Sequence, residues 1–214
     1  MNLPAIKTPA KPIKLYRFSL SGHSHRVELF LSLLGLPFEL INVDLVGGAH
    51  KAPEFLEMNP FGQVPVIQDG EVTLADANAI LVYLASNYSD GQWLPHDPLR
   101  AAEVQRWLTV AAGLLAFGPA AARLVKLFKA PFNAEEVTAR SHRLFEVMDK
   151  LLQKSPYLAG ATPTLADVAN YSYIAHAPEG GVSLAPYPRL RTWLASIEAL
   201  PGFIPMVKSP ATAS

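Results

Sequence analysis

The apolar positions follow one rhythm early in the chain and another later. Ile13 to Phe18 and Phe38 to Val43 are short apolar-rich runs of strand length. Between them Val27, Phe30, Leu31 and Leu34 recur at helical spacing, and Leu29 and Leu33 widen the stripe, which predicts a largely buried helix. Ser24 is its expected N-cap, and Gly35 and Pro37 stop it at Leu34. Strand, helix, strand in that order favours a parallel pair with a right-handed crossover. After the loop Gly47-Gly48-Ala49-His50-Lys51, Pro53 to Met58 predicts a short helix. Two apolar runs then flank Asp69-Gly70, a strong hairpin signal. Pro65, at the mouth of the first run, cannot donate to a sheet ladder and belongs at a strand start or edge. Val64 before it is driven towards an extended conformation, from which its N–H and C=O can be offered to a peptide-like ligand. A helix from about Asp76 to Asn87, with Ile80, Leu81 and Leu84 inward, completes this part.

From Ser89 to Asp97 the pattern breaks and reads as a linker, and beyond it no convincing strand appears. Helical spacing runs over Leu99 to Phe117, Ala134 to Gln153, Leu165 to Ala177 and about Pro188 to Leu200. Val104, Trp107, Leu108, Ala111 and Leu115 make one face of the first of these. Thr164-Leu165-Ala166-Asp167 carries a capping-box signal whose role is in folding. The expected organisation is a leader over residues 1–12, an α/β domain over 13–88, a linker over 89–97 and an all-α domain over 98–208.

Composition narrows the functions. The chain has 214 residues, half of them hydrophobic, and a formal charge of zero. Without a basic excess, neither nucleic acid nor an anionic membrane is an expected partner. No apolar run in the sequence approaches the ~18 residues of a membrane span. The leader, with Pro4, Pro9 and Pro12 and lysines between them, lacks the apolar stretch of a signal peptide, so a cytoplasmic protein is expected. There is no cysteine, which excludes disulfide scaffolds, thiolate metal sites and any mechanism using a thiol of the protein. The six histidines show no metal-ligand pattern, and no metal is expected.

Strand, helix, strand, helix, hairpin, helix is the order of a thioredoxin-like domain. Gly48-Ala49-His50-Lys51-Ala52-Pro53-Glu54-Phe55, running into Asn59-Pro60-Phe61-Gly62-Gln63-Val64-Pro65, resembles the cytosolic glutathione transferases. The likeness is to the serine-type, phi class and its bacterial relatives, over about residues 13 to 208. It implies a thioredoxin-like, glutathione-binding domain followed by a C-terminal all-helical bundle, with glutathione as co-substrate. It also implies that Pro65 is cis and that the Val64 backbone pairs with the cysteinyl part of glutathione. Ser21, five residues before Arg26, stands where these relatives carry the hydroxyl that favours thiolate over thiol. A thiol of pKa ~8.5 is only a few per cent ionised at neutral pH. Lowering it by about two units takes ~2.7 kcal/mol, within reach of a hydroxyl hydrogen bond and a helix N-terminus together. Ser24 and Ser19 are rivals for that role. His23, as a neutral donor or a cation, is placed to assist, the plainer alternative being a solvated loop side chain.

By the same resemblance His50 and Lys51 hold the glycyl carboxylate and Gln63 adds a contact. The chain departs from the pattern at Asp76-Ala77, where the family has Glu-Ser. Asp76 keeps the acid for the γ-glutamyl ammonium, although it also suits a helix cap. Ala77 keeps the backbone N–H for the α-carboxylate but loses a hydroxyl worth ~0.5–1.5 kcal/mol. Trp107, Phe117 and Arg123 are candidates for the second-substrate pocket, or else core. Tyr16 reads as core packing. The function implied is attack of the glutathione thiolate on a small, mostly apolar electrophile by a homodimer. The alternatives are glutathione-dependent disulfide reduction or peroxidase activity, isomerisation of a maleyl-type compound, and a non-catalytic binding or regulatory relative.

Overall fold

The structure, a computed structural model, describes residues 7–209. The first half of the expected leader lies outside the described residues. The described residues form two compact units: residues 7–94 together with Pro201–Met206, and Pro95–Leu200 with residues 207–209.

The first unit is built on a four-stranded sheet in the order β2-β1-β3-β4, made of β1 (Ile13–Arg17), β2 (Phe38–Asn42), β3 (Val66–Asp69) and β4 (Val72–Ala75). β1 and β2 are parallel, as the strand–helix–strand pattern predicts, with Ile13 opposite Phe38. β3 runs antiparallel to both β1 and β4, pairing Val66 with Tyr16 on one side and Ala75 on the other. Asp69 faces Val72 across a two-residue turn in which Gly70 has φ 58°, a conformation glycine adopts without steric cost. Helices α1 (Gly22–Leu33), α2 (Pro53–Met58) and α3 (Ala77–Tyr88) complete the unit. Ile13, Leu15, Leu29, Phe30, Leu31, Ile67, Ile80, Leu81 and Leu84 are buried in its core, α1 against α3. A second cluster gathers Val43, Phe55 and Val66 with Tyr16, Leu45, Met58, Val64 and Ala75. Tyr16 is therefore packing, as expected, and its hydroxyl donates to Gln68 Oε1 at 2.9 Å. Trp93, in the stretch expected to be a linker, is buried edge-on against Phe30.

Two boundaries differ from expectation. α1 starts at Gly22, capped by Ser21, whereas Ser24 lies inside its first turn. Its C-terminal end is as predicted to within a residue. The second unit begins with α4 (Pro98–Val110), which passes into a π-helical stretch (Ala111–Ala120) and then α5 (Ala121–Phe128). Gly118-Pro119 reads as a stop in the sequence, but the chain only kinks there, at Gly118 (φ −116°, ψ −105°), and α5 was not expected. The resulting 31-residue run Pro98–Phe128 is long and apolar enough to cross a membrane, contrary to the sequence reading. Half of its most apolar window is buried within the structure.

α6 (Ala134–Leu151), α7 (Leu165–Ala175) and α8 (Pro188–Glu198) complete the second unit. Every residue from Leu165 to Ile174 is buried, making α7 its central helix. Thr164 and Asp167 form the predicted capping box, and the Asp167 carboxylate also accepts from Leu158 N–H at 2.9 Å and Trp193 Nε1 at 2.8 Å.

Candidate active site

Strand pairing brings three chain segments to one end of the sheet. β1 ends beside the start of β3, and β3 starts beside the end of β4. The β1–α1 loop with Ser21, the Val64–Pro65 bond and the Asp76-Ala77 pair therefore open on the same edge. Arg26 ties two of them together: it is buried on α1, and its Nη1 donates to Asn78 Oδ1, in the first turn of α3, at 2.8 Å.

Ser21 is the N-cap of α1. Its Oγ accepts from Ser24 N–H at 3.2 Å, and its carbonyl accepts from His25 N–H at 2.9 Å. Accepting uses the oxygen's lone pairs and leaves the hydroxyl proton, for which no acceptor is found among the described residues. A cap can thus hold its helix and still donate outward, at the positive end of the helix dipole. Ser24 is 1 % exposed and its Oγ accepts from Phe18 N–H at 3.3 Å, so that rival is turned into the fold. His23 is the second residue of α1 and partly buried. Burial first, and the Arg26 charge second, push its pKa down to about 3. Of the two expectations, neutral donor or cation, the neutral ring is the form present near neutral pH.

The Val64–Pro65 bond is cis. Neither the N–H nor the C=O of Val64 has a hydrogen-bond partner among the described residues. The loop leading to it is braced by Asn59, 3 % exposed, whose Nδ2 donates to Gln63 O at 2.8 Å and whose Oδ1 accepts from Phe61 N–H at 3.1 Å. Gln63 itself is exposed. His50 and Lys51 lie in a 3-10 turn (Ala49–Lys51) that approaches the same loop. A Cβ added to Gly62, which has φ +59°, would meet His50 O at 2.8 Å and Lys51 Nζ at 3.0 Å. Lys51 is exposed, whereas His50 is half-buried with a buried Nδ1 that has no hydrogen-bond partner among the described residues.

Asp76 caps α3, its Oδ1 accepting from Ala79 N–H at 2.9 Å, while the residue itself is exposed. It does so at φ 74° and ψ 124°, a left-handed conformation that a side chain rarely adopts. Ala77 is the first residue of α3, and no acceptor for its N–H is found among the described residues. Among the described residues no group of three or more His, Cys, Asp or Glu side chains is arranged to hold a metal ion.

The three pocket candidates belong to the second unit. Trp107 and Arg123 are each 2 % exposed, and Arg123 Nε pairs with Glu179 Oε2 at 2.6 Å. Both are interior side chains, while Phe117 is half exposed and has a surface to offer. Sequence reasoning passed over Arg26, Asn59 and Asn78. A charge set between His25 and Val27 on an otherwise buried helix was the available signal for Arg26.

A thioredoxin-like sheet with an unpaired backbone segment leading into its central strand β3, a hydroxyl at a helix N-terminus and a second, all-helical unit defines a class, and comparison with known proteins agrees. Residues 11–86 match the glutathione S-transferase N-terminal domain family, and residues 106–201 the C-terminal domain family. The chain is 37% identical to glutathione S-transferase 3 of Zea mays over 95% of its own length and 99% of the relative's. It is 31% identical to the disulfide-bond oxidoreductase YfcG of Escherichia coli, covering 89% of this chain and 91% of that one. A glutathione S-transferase structure from Pseudomonas fluorescens superposes with a TM-score of 0.85 at 32% identity, over 92% of this chain and all of that one. The chain belongs to the glutathione S-transferase family and is a glutathione transferase.

Proposed function

We propose that this transferase ionises bound glutathione with Ser21 and directs the thiolate at a small, mostly apolar electrophile. The observation that carries the reading is the proton of Ser21, which has no acceptor among the described residues and is held by a cap geometry at the end of the sheet where the Val64 backbone is likewise unpaired among them. Val64 N–H and C=O pair with the cysteinyl residue, as a strand would at an open edge. Asp76 takes the γ-glutamyl ammonium and Ala77 N–H the α-carboxylate. Lys51, with His50 and Gln63, takes the glycyl carboxylate, and Pro65 shapes the floor beneath the thiol. His23 assists as a neutral ring, and Phe117 contributes to the electrophile pocket. In this reading residues 13–88 form the glutathione-binding domain and 98–208 the helical one, in a cytoplasmic homodimer.

Disulfide reduction is the second reading, favoured by the Escherichia coli relative named a disulfide-bond oxidoreductase. It needs no cysteine of the protein, because glutathione brings the thiol. A non-catalytic binding role draws its support only from the weakened Asp76-Ala77 pair.

Isothermal titration with glutathione tests the family of readings. Absence of heat at millimolar ligand overturns each enzymatic version. If glutathione binds, Ser21→Ala raises the pKa of its thiol, followed as thiolate absorbance against pH. An unchanged pKa removes Ser21 from the role. Aryl halides against organic disulfides then separate transfer from reduction.

A further inference from the structure

Pro201–Met206 follow α8 in sequence but group with the first unit, where they lie along α1. Ser32 Oγ, in the last turns of α1, donates to Gly202 O at 2.6 Å. His25 Nε2, in the second turn, lies 3.0 Å from Ile204 O. A carbonyl brings no proton, so this ring nitrogen carries it and donates. Ser32 and His25 are seven residues apart, two helical turns, and so share one face about 10 Å along the axis. The strap therefore runs antiparallel to the helix, towards the end that bears Ser21. It lies close: Gly202 has φ +83°, and a Cβ there would come 2.6 Å from Ser32 O and 3.3 Å from Leu33 Cα. His25 is 3 % exposed and Met206 4 %.

We propose that this strap is a clamp on α1 and that His25 is a positioning residue for the glutathione thiol; the inference rests on the role given above to Ser21. His25 joins the two by both of its hydrogen-bonding parts. Its ring holds the strap, and its backbone N–H makes the 2.9 Å bond to Ser21 O that starts the helix. Burial of Val27, Leu29, Phe30 and Leu31 presses α1 onto its neighbours, and directional bonds fix it along its axis. Arg26 to Asn78 and Glu28 to Arg17 do so on the sheet and α3 side, and the two strap bonds do so on the strap side. A hydroxyl that must meet a thiolate within a few tenths of an ångström depends on that setting.

Three variants test the clamp. His25→Phe keeps a ring and removes the donor, His25→Gln returns a donor at similar reach, and Gly202→Ala lifts the strap while leaving His25 intact. Two readouts are used: amide hydrogen exchange at Gly22 to Arg26 in the ligand-free protein, and the pKa of the bound glutathione thiol. The expected result is faster exchange in that turn for His25→Phe and Gly202→Ala. With it comes a thiol pKa high enough to cut thiolate at neutral pH about threefold, while His25→Gln recovers most of both. Wild-type exchange in that turn in both folded variants overturns the clamp. Faster exchange with an unchanged thiol pKa overturns the positioning role. Should His25→Phe not fold, Ser32→Ala, which removes only the far anchor, is read in the same way. Failure of the wild type to bind glutathione defeats the proposed function and the positioning role with it, whereas the exchange measurement decides the clamp without ligand.

Discussion

Asp76 stabilises α3 as its cap and strains the backbone at the same position. The cap contributes about 1 kcal/mol, and a side chain held at φ 74° and ψ 124° costs about 1–3 kcal/mol. The strained residue persists at an exposed point on the edge shared by Ser21 and Val64, where the resemblance puts the γ-glutamyl end of glutathione. Strain and charge are separable by substitution. Asp76→Gly removes the strain together with the charge, so it is expected to melt no lower than the wild type. It should nevertheless bind glutathione at least about tenfold more weakly, the measure of one lost charge-assisted bond. Asp76→Asn keeps a capping oxygen and the strained positive φ, and is expected to lose affinity without gaining stability. A lowered Tm with unchanged affinity in Asp76→Gly reduces Asp76 to a cap. At the next residue, Ala77→Ser restores the hydroxyl that the family carries and is expected to tighten binding about three- to tenfold by titration calorimetry.

At the scale of elements, the loop from Asn59 to Pro65 works as one piece. Asn59 braces it from within, and Gly62 lets the His50–Lys51 turn come against it. Gly62→Ala both strains a left-handed residue and drives a methyl into His50 O and Lys51 Nζ. The expected outcome is weaker glutathione binding with little change in the thiol pKa of what does bind, since Ser21 lies on another element. A raised pKa with unchanged affinity contradicts that division of labour. Much of this was legible in the sequence because its determinants are local. Asp69-Gly70 dictates a hairpin through turn chemistry, and Thr164 with Asp167 spells a capping box within four residues. Val64 and Pro65 mark the start of a strand by what proline lacks, and that strand, β3, proves to be central and not an edge. The N-cap of α1 was misplaced because Ser21 and Ser24 are equally good caps by type. What decides between them is the turn in which Ser21 N–H reaches Phe18 O at 2.9 Å, which no periodicity encodes. α5 was missed because a π-helical stretch absorbs Gly118-Pro119, where helix rules predict a stop. The contacts that were wholly illegible join distant residues: Arg26 to Asn78, Arg123 to Glu179, and His25 to Ile204, 179 residues away.

For the whole molecule, buried ionisable groups in each unit make folding sensitive to acid. In the first unit His23 stays neutral down to about 3, whereas the unfolded imidazole takes its proton near 6.5. Between those values the unfolded chain binds a proton that the folded one refuses, so stability falls as pH falls through that window. In the second unit burial also lowers the pKa of His176, against the pull of Glu179, whose Oε1 lies 2.9 Å from its Nδ1. Its contribution has the same sign and begins at the same 6.5. Glu179 is raised by burial but lowered further by His176, Arg123 and the Ser209 N–H, and the net is downward. Its share is therefore lost only as pH drops below 4.5. Asp167 opposes these: burial raises its pKa above 3.8 despite the hydrogen bonds it accepts, so protonation there favours the folded state. Between 6.5 and 4.5 the histidines act before Glu179 does, and the wild-type Tm is expected to fall steadily across that interval. His23→Gln keeps a polar side chain that cannot titrate and should flatten the decline, and His176→Gln should flatten it further. A slope as steep as the wild type's in His23→Gln assigns the acid sensitivity to other groups and removes the argument that His23 is neutral in the fold.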